Sequence, residues 1–396
     1  MLLDFKCKNF RSIYSEIDFS MQASKDETFS DQLIDFDSKK FLRNTVIYGP
    51  NGSGKTTIIR AISRLSNLVG RSYTFQPGDE LPFDPHKLHS EEPTHFSIWF
   101  EKENVKYFYE IIYNSSSILE ENLYYNPNGR MVVVFERSNS VFEFGNSFEK
   151  NKGDCDNQLK KNRLLLSVAA NITKIEPVSK AFEFLSDDIV IFDSIGPFWR
   201  KINSILIDDN PEFKKTIVNL MKVFCPGLKD ISIEIEKRNI SDDDYSENER
   251  QYRLRDRYIV SIDYGDFTVD LRDESSGIQK IFDYICPMLK AVEEGEVFLC
   301  DELERSLHPM VVDELLKYFI ENKSNNAQAI FTSHDIELMD QSKLRRDQIW
   351  FATMKSEGRE TELYSLTEVN DVRKGENLRK GYLENRYGGL PIFDKE

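Results

Sequence analysis

The stretch Thr45-Val46-Ile47-Tyr48-Gly49-Pro50-Asn51-Gly52-Ser53-Gly54-Lys55-Thr56-Thr57-Ile58-Ile59 decides how the rest of this chain is read. Its first four residues form a short strand ending in glycines. After it, Ile58, Ile59, Ile62, Leu65 and Leu68 recur at the spacing of one helix face. Between strand and helix, Gly49 to Thr56 matches G-x-x-x-x-G-K-[ST] completely. The glycines let successive backbone N–H groups turn inward around phosphates, and the helix adds the positive end of its dipole. Asn51, Gly52, Ser53, Gly54, Lys55, Thr56 and Thr57 are thus expected to hold ATP. Lys55 would reach the β- and γ-phosphates and the Thr56 hydroxyl would hold Mg2+. A glycine-rich turn can match by chance, but seldom with a strand before it and a helix after it.

A P-loop alone does not choose between kinases, GTPases, AAA-type motors and ABC-type ATPases; the downstream residues do. Val297–Cys300 is wholly apolar, which suits a strand buried on both faces of a parallel sheet, and it ends in Asp301 and Glu302. This is the Walker B pattern: Asp301 would hold Mg2+ and Glu302 would polarise the attacking water. Paired acids also favour the first turn of a helix. Ser275-Ser276-Gly277 opens a helix and offers a hydroxyl with free N–H groups, an anion site without a lysine, although an ordinary serine N-cap reads the same way. Thr332-Ser333-His334-Asp335 follows the next apolar strand and sets an imidazole at the sheet's carboxyl edge, where a γ-phosphate would lie.

Farther out, residues 94–145 alternate with period two, with Asn126-Pro127-Asn128-Gly129 as a hairpin turn. Residues 158–228 read as helical, and 229–271 as paired strands around the acidic run 241–250, expected to be a solvated hairpin tip. From 275 onward, helix and strand alternate as in βαβ units, with Pro287 expected to kink the first of these helices. The expected fold class is α/β: a P-loop fold with a mixed or parallel sheet, an antiparallel β subdomain and a helical insertion. Residues 1–157 would form an N-terminal lobe, 158–270 the insertion and hairpin, and 271–396 a C-terminal lobe.

Composition bounds the remainder. The chain has 396 residues, and 52 Lys and Arg against 68 Asp and Glu give a formal net charge of −16. That balance argues against a surface devoted to neutralising a phosphate backbone. The five cysteines are scattered without a CxxC pair, so neither a disulfide framework nor a zinc site is expected, and a cytoplasmic location fits. No apolar run approaches the ~18 residues a membrane span requires.

The order of motifs resembles the ABC-type ATPases of the SMC and RecF group, and within it the compact AAA15 branch that also contains ATPases of the overcoming-lysogenisation-defect type. Lys8-Asn9-Phe10-Arg11-Ser12 resembles the group's N-terminal strand and turn, which implies that Arg11 lies near the nucleotide base. Ser275 to Lys280 is similar to the signature motif, Asp301 to Pro309 to Walker B running into the D-loop, and Ser333-His334 to the switch histidine. Asn385 to Pro391 resembles the branch's ending. The resemblance implies that Ser276 and Gly277 of one copy close on ATP held by another. It also implies that His334 and Glu302 position the water, and that Ser306 reports across the interface. No Q-loop can be placed: Gln76 follows the P-loop helix, but its flanks are not diagnostic. The span between Lys55 and Ser275 is too short for long paired coiled-coil arms.

The resemblance implies an ATP-hydrolysing, nucleotide-switched sensor or scaffold in a phage-defence system, assembled as a homodimer or higher oligomer. The residues after His334 leave no room for a fused Toprim nuclease, so a separate effector, a nuclease or toxin, is expected. The alternative is a RecF-like DNA-repair ATPase. It would need a basic surface, for which Lys160, Lys161 and Arg163, the row Arg250 to Arg257, and Arg373 to Lys380 are candidates. Interspersed acids make solvated charged faces the plainer reading. A transporter subunit and a GTPase are disfavoured, the latter for lack of an Asn-Lys-x-Asp motif.

Overall fold

The computed structural model describes residues 1–148, 153, 155, 157–192, 197–237, 256–302, 304, 307–321, 324–373 and 375–390. The acidic run 241–250, Ser306 and Pro391 lie outside the described residues, as do Arg250, Arg253 and Arg255.

The chain opens with β1 (Leu2–Lys8) and β2 (Ile17–Ser20), makes a small hairpin of β3 (Ile34–Phe36) and β4 (Lys39–Phe41), and enters β5 (Asn44–Tyr48) and α1 (Lys55–Arg71). An antiparallel run follows: β6 (Thr94–Lys102), β7 (Val105–Tyr113), β8 (Ile118–Asn126), β9 (Val132–Ser138) and β10 (Val141–Phe144). Next come α2 (Leu165–Ile172), α3 (Glu176–Ser186), β11 (Ile189–Phe192), α4 (Pro197–Asp209) and α5 (Pro211–Phe224). A three-stranded sheet of β12 (Asp230–Glu236), β13 (Arg257–Asp263) and β14 (Thr268–Asp270) leads into α6 (Ser276–Glu294). Then β15 (Val297–Cys300), α7 (Pro309–Glu321), β16 (Gln328–Ser333), β17 (Ile349–Met354), β18 (Thr361–Ser365) and α8 (Leu378–Leu383) complete the order.

Two large sheets result. The antiparallel one runs β10-β9-β8-β7-β6-β1-β2, and its period-two sequence sends Phe5, Phe96, Ile98, Phe100, Tyr109 and Ile111 to one buried face. Phe100 stacks on Phe184 of α3 with centroids 4.4 Å apart, which fastens the helices to this face. The second sheet runs β11-β15-β16-β5-β17-β18 and is parallel except for its last strand, β18. β5, β15 and β16 are buried along their whole length, as strands covered on both faces of a parallel sheet are, and β15 is wholly apolar. The fold is α/β with mixed sheets, as expected.

One detail departs from the sequence reading. Residues 189–192, expected to be helical, form β11, the edge strand paired in parallel with β15. Pro287 sits inside α6 without ending it. Proline has no N–H for the carbonyl of Asp283 four residues back. Asn203 of α4 supplies the replacement: its Nδ2 donates to the Asp283 carbonyl at 2.9 Å and to that of Phe282 at 3.0 Å. All five cysteines are free thiols and buried. Among the described residues, no helix is long and apolar enough to cross a membrane.

Candidate active site

The parallel register assembles the site. Tyr48 of β5 pairs with Ser333 of β16, and Cys300 of β15 with Phe331 of β16, so Gly49, Asp301 and His334 all emerge at one carboxyl edge of the sheet. Open α/β sheets bind ligands at such edges.

The P-loop is held tightly. Gly49 and Gly54 adopt φ of 155° and 99°. A Cβ at Gly49 would lie 2.2 Å from the Ala352 carbonyl oxygen, and one at Gly54 2.0 Å from Thr361 Oγ1. Gly54 is also the N-cap of α1, without a side-chain cap and with no acid in the first turn, so the positive end of the helix faces the loop. Thr361 of β18 donates to the Ser53 carbonyl at 3.0 Å and to Ser12 Oγ at 2.8 Å, and Ser12 donates in turn to Thr57 Oγ1 at 3.1 Å. Three distant segments thus clamp the loop from outside. Ser53 is buried with no hydrogen-bond partner for its Oγ, whereas Asn51 and Gly52 are exposed.

Lys55 is 5% exposed, and its Nζ donates to the carbonyls of Gly49 (2.7 Å) and Pro50 (3.1 Å). Burial pulls its ammonium down from 10.5 to about 8, against the opposing pull of Asp301, Glu304 and Glu302. The same Nζ lies 3.3 Å from His334 Nδ1. Burial, and then the Lys55 charge, lower the pKa of His334, so its imidazole is neutral at physiological pH. An ammonium donor at Nδ1 leaves the ring proton on Nε2.

Asp301 accepts from Thr56 Oγ1 at 2.9 and 3.1 Å and from Thr332 Oγ1 at 2.5 Å. Thr332 Oγ1 also accepts the Glu302 N–H at 2.8 Å, and Glu302 stands in the left-handed region with φ 51°. The carbonyl of Glu302 accepts from Lys280 Nζ at 2.9 Å. Glu304 Oε1 accepts the His334 N–H at 2.6 Å. A hydroxyl and a carboxylate touching beneath a lysine form the hard-oxygen donor set that Mg2+ takes beside substrate phosphates. The residues therefore fit Mg·ATP.

Arg11 has φ 53° in a turn, and its backbone N–H donates to the Asp84 carbonyl at 2.7 Å. With Ser12, Thr57, His86, Leu88 and Arg359 it lines a cavity of about 670 Å³ beside the first turn of α1, wide enough for a nucleoside. Ser275 is the N-cap of α6, its Oγ accepting from Ile278 N at 3.3 Å; Ser276 is exposed. The structure thus brings Lys55, Thr56, Asp301, Glu302 and His334 together. No hydrogen bond among the described residues joins Ser276 or Gly277 to them. Gln76 is exposed; its N–H donates to Asp79 and its carbonyl accepts from Asn162.

Thr332, Glu304, Lys280 and Ser12 lie inside the motif stretches, which give them no role, and Thr361 lies outside all of them. Thr332 had a signal, a hydroxyl inside an apolar strand. The contact of Thr361 with Ser12, 349 residues apart, had none.

Four of the described basic candidates pair within the chain. Arg163 is buried and donates to the carbonyls of Phe75 and Gln158. Arg257 pairs with Glu236, Arg379 with Glu337 and Lys380 with Glu384.

Among solved structures, the chain is similar to an SMC head bound to the C-terminal winged-helix domain of ScpA: 15% identity, TM-score 0.49, covering 94% of this chain and 99% of that one. The SMC head domain from Thermotoga maritima gives 13% identity and a TM-score of 0.43 over 92% and 98% of the two chains. A Pyrococcus furiosus SMC head with an extended coiled coil, bound to the C-terminal domain of ScpA, gives 11% and 0.44 over 93% and 97%. No curated protein sequence matches. Residues 45–340, from the strand before the P-loop to just beyond His334, match one family over three quarters of the chain, and the chain belongs to it: the ATPase-type family described as "AAA domain, putative AbiEii toxin, Type IV TA system".

Proposed function

We propose that the chain binds ATP with Mg2+, hydrolyses it, and uses the bound nucleotide to join two copies of itself. One observation carries this reading: Thr56, Asp301, Thr332 and the Glu302 backbone form an unbroken hydrogen-bonded chain, with the Lys55–His334 pair beside it, at one sheet edge.

Each group has a task that its surroundings permit. The Lys55 ammonium and the N–H groups at the start of α1 hold the β- and γ-phosphates. Thr56 and Asp301 hold the metal, which when bound draws charge from the phosphate oxygens. Glu302 takes the proton of the attacking water. The neutral His334, with its proton on Nε2, donates a hydrogen bond to the oxygen on which charge develops. Arg11 lies on the base and ribose side. Ser276 stands exposed and Gly277 half-buried at a helix N-terminus, with no hydrogen bond among the described residues to their own P-loop, which suits completion of a second copy's nucleotide cage.

On this reading ATP joins the copies and hydrolysis releases them, a two-state switch. The family description, "putative AbiEii toxin, Type IV TA system", supports a place in a toxin–antitoxin system; in our reading the ATPase acts there as a nucleotide-switched sensor or scaffold beside a separate effector. Among the described basic candidates, the pairing of Arg163, Arg257 and Arg379 within the chain lends no support to a DNA-repair role.

Turnover and nucleotide binding of Glu302→Gln test the catalytic half. We expect phosphate release to fall about 100-fold or more, as removal of a general base typically costs 10²–10⁴, with Mg·ATP binding retained. Wild-type turnover in this variant would remove Glu302 from the chemistry.

A further inference from the structure

Glu302 is held at both ends of its own backbone. It is not glycine, yet it sits at φ 51°, a conformation that persists only where the surroundings over-determine it. Its N–H is fixed by Thr332 Oγ1 at 2.8 Å, and that hydroxyl is tied at 2.5 Å to Asp301. Its carbonyl is fixed by Lys280 Nζ at 2.9 Å. Lys280 belongs to α6 rather than to the sheet, and is only 2% exposed. A buried ammonium donating to a carbonyl makes a strong charge-assisted bond in a low-dielectric setting, so the contact resists sliding. Lys280 also stands four residues after Ser276, on the same helix face. One helical turn therefore separates the exposed serine from the amine that grips the backbone of the base.

We propose that Lys280 is a positioning residue for hydrolysis: through the Glu302 carbonyl it sets the angle at which the Glu302 carboxylate meets water, and so passes the position of the α6 N-terminus to the reaction. Engagement of Ser276 by a second copy then shifts α6, Lys280 and the Glu302 backbone together. Turnover follows assembly because the two sites share this bond. The inference rests on the ATPase reading above and deepens it, by making the signature helix a part of its own chain's catalytic edge.

The test compares wild type, Lys280→Met and Lys280→Arg in steady-state turnover and in equilibrium binding of Mg·ATP. Substitutions of groups that only orient a reacting residue typically lower activity about 10–100-fold, and we expect a fall of that size in kcat for Lys280→Met. Affinity for Mg·ATP, carried by the P-loop, should stay at the wild-type value, and Lys280→Arg, which keeps a long cationic donor, should recover most of the loss. A merely structural lysine would lower affinity and kcat together, and that outcome overturns the proposal. So does Lys280→Met turning over at the wild-type rate while wild type is active. A wild-type protein that binds ATP but never hydrolyses it overturns the ATPase reading first and this inference with it. Should Lys280→Met lack a cooperative unfolding transition, Lys280→Gln, which keeps a donor but not the reach, takes its place with the same expectations.

Discussion

Lys55 carries two opposed demands. Its ammonium must be charged to hold phosphates, yet burial has moved its pKa down to about 8. Below that value the amine is protonated and attracts the triphosphate; above it the free protein loses the charge. Mg·ATP affinity should therefore be flat from pH 6.5 to about 8 and fall as pH rises further, by up to tenfold per unit, since one proton is taken up on binding. Fluorescence titrations of a nucleotide analogue across this range would check it. Affinity unchanged to pH 10, or a residual affinity in Lys55→Ala with the same step, would remove Lys55 from phosphate binding. The motif residues were legible because each chemistry demands one residue type at a fixed offset. Thr332 and Glu304 were not. Their task is to hold backbone groups of Glu302 and His334, and many side chains at many positions could do that.

At the level of elements, α6 is the member under most constraint. It is tied through Lys280 to Glu302, just past the end of β15, and to α4 through a buried ion pair, in which Arg200 donates to both carboxylate oxygens of Asp283 at 3.1 Å. Asp283 has no exposed surface, and burial raises its pKa against the opposing pull of Arg200. Removing one partner of a buried pair leaves an uncompensated charge, which costs about 3–5 kcal/mol. Arg200→Ala should therefore shift the urea unfolding midpoint downward by that amount of stability, a loss that deepens as pH rises and Asp283 is forced to ionise. An unchanged midpoint would mean that water already serves the carboxylate. The alternating strands and the amphipathic helices were readable from periodicity alone. β11 was not, because Ile189-Val190-Ile191-Phe192 is four apolar residues between helices, too short for its period to separate strand from buried helix. The start of α2 was equally hidden: its Leu165 and Leu166 N–H groups bond to Glu121, a buried carboxylate on β8 about forty residues away in sequence.

For the whole molecule, the claim that matters is that one chain makes only part of the site. The P-loop, Asp301, Glu302 and His334 converge within one copy, while Ser276 is exposed. A second copy whose signature turn closes on the first nucleotide reconciles the two. Serine to arginine at 276 should block that closure by bulk without touching the P-loop, leaving nucleotide affinity intact and turnover lost. The most direct measurement is the molar mass in solution of Glu302→Gln, by size-exclusion chromatography with light scattering, with and without Mg·ATP. The account predicts a shift from one copy to two or more on addition of Mg·ATP, abolished when Ser276→Arg is combined with Glu302→Gln. A mass that does not respond to Mg·ATP in a protein that binds it would contradict the shared site.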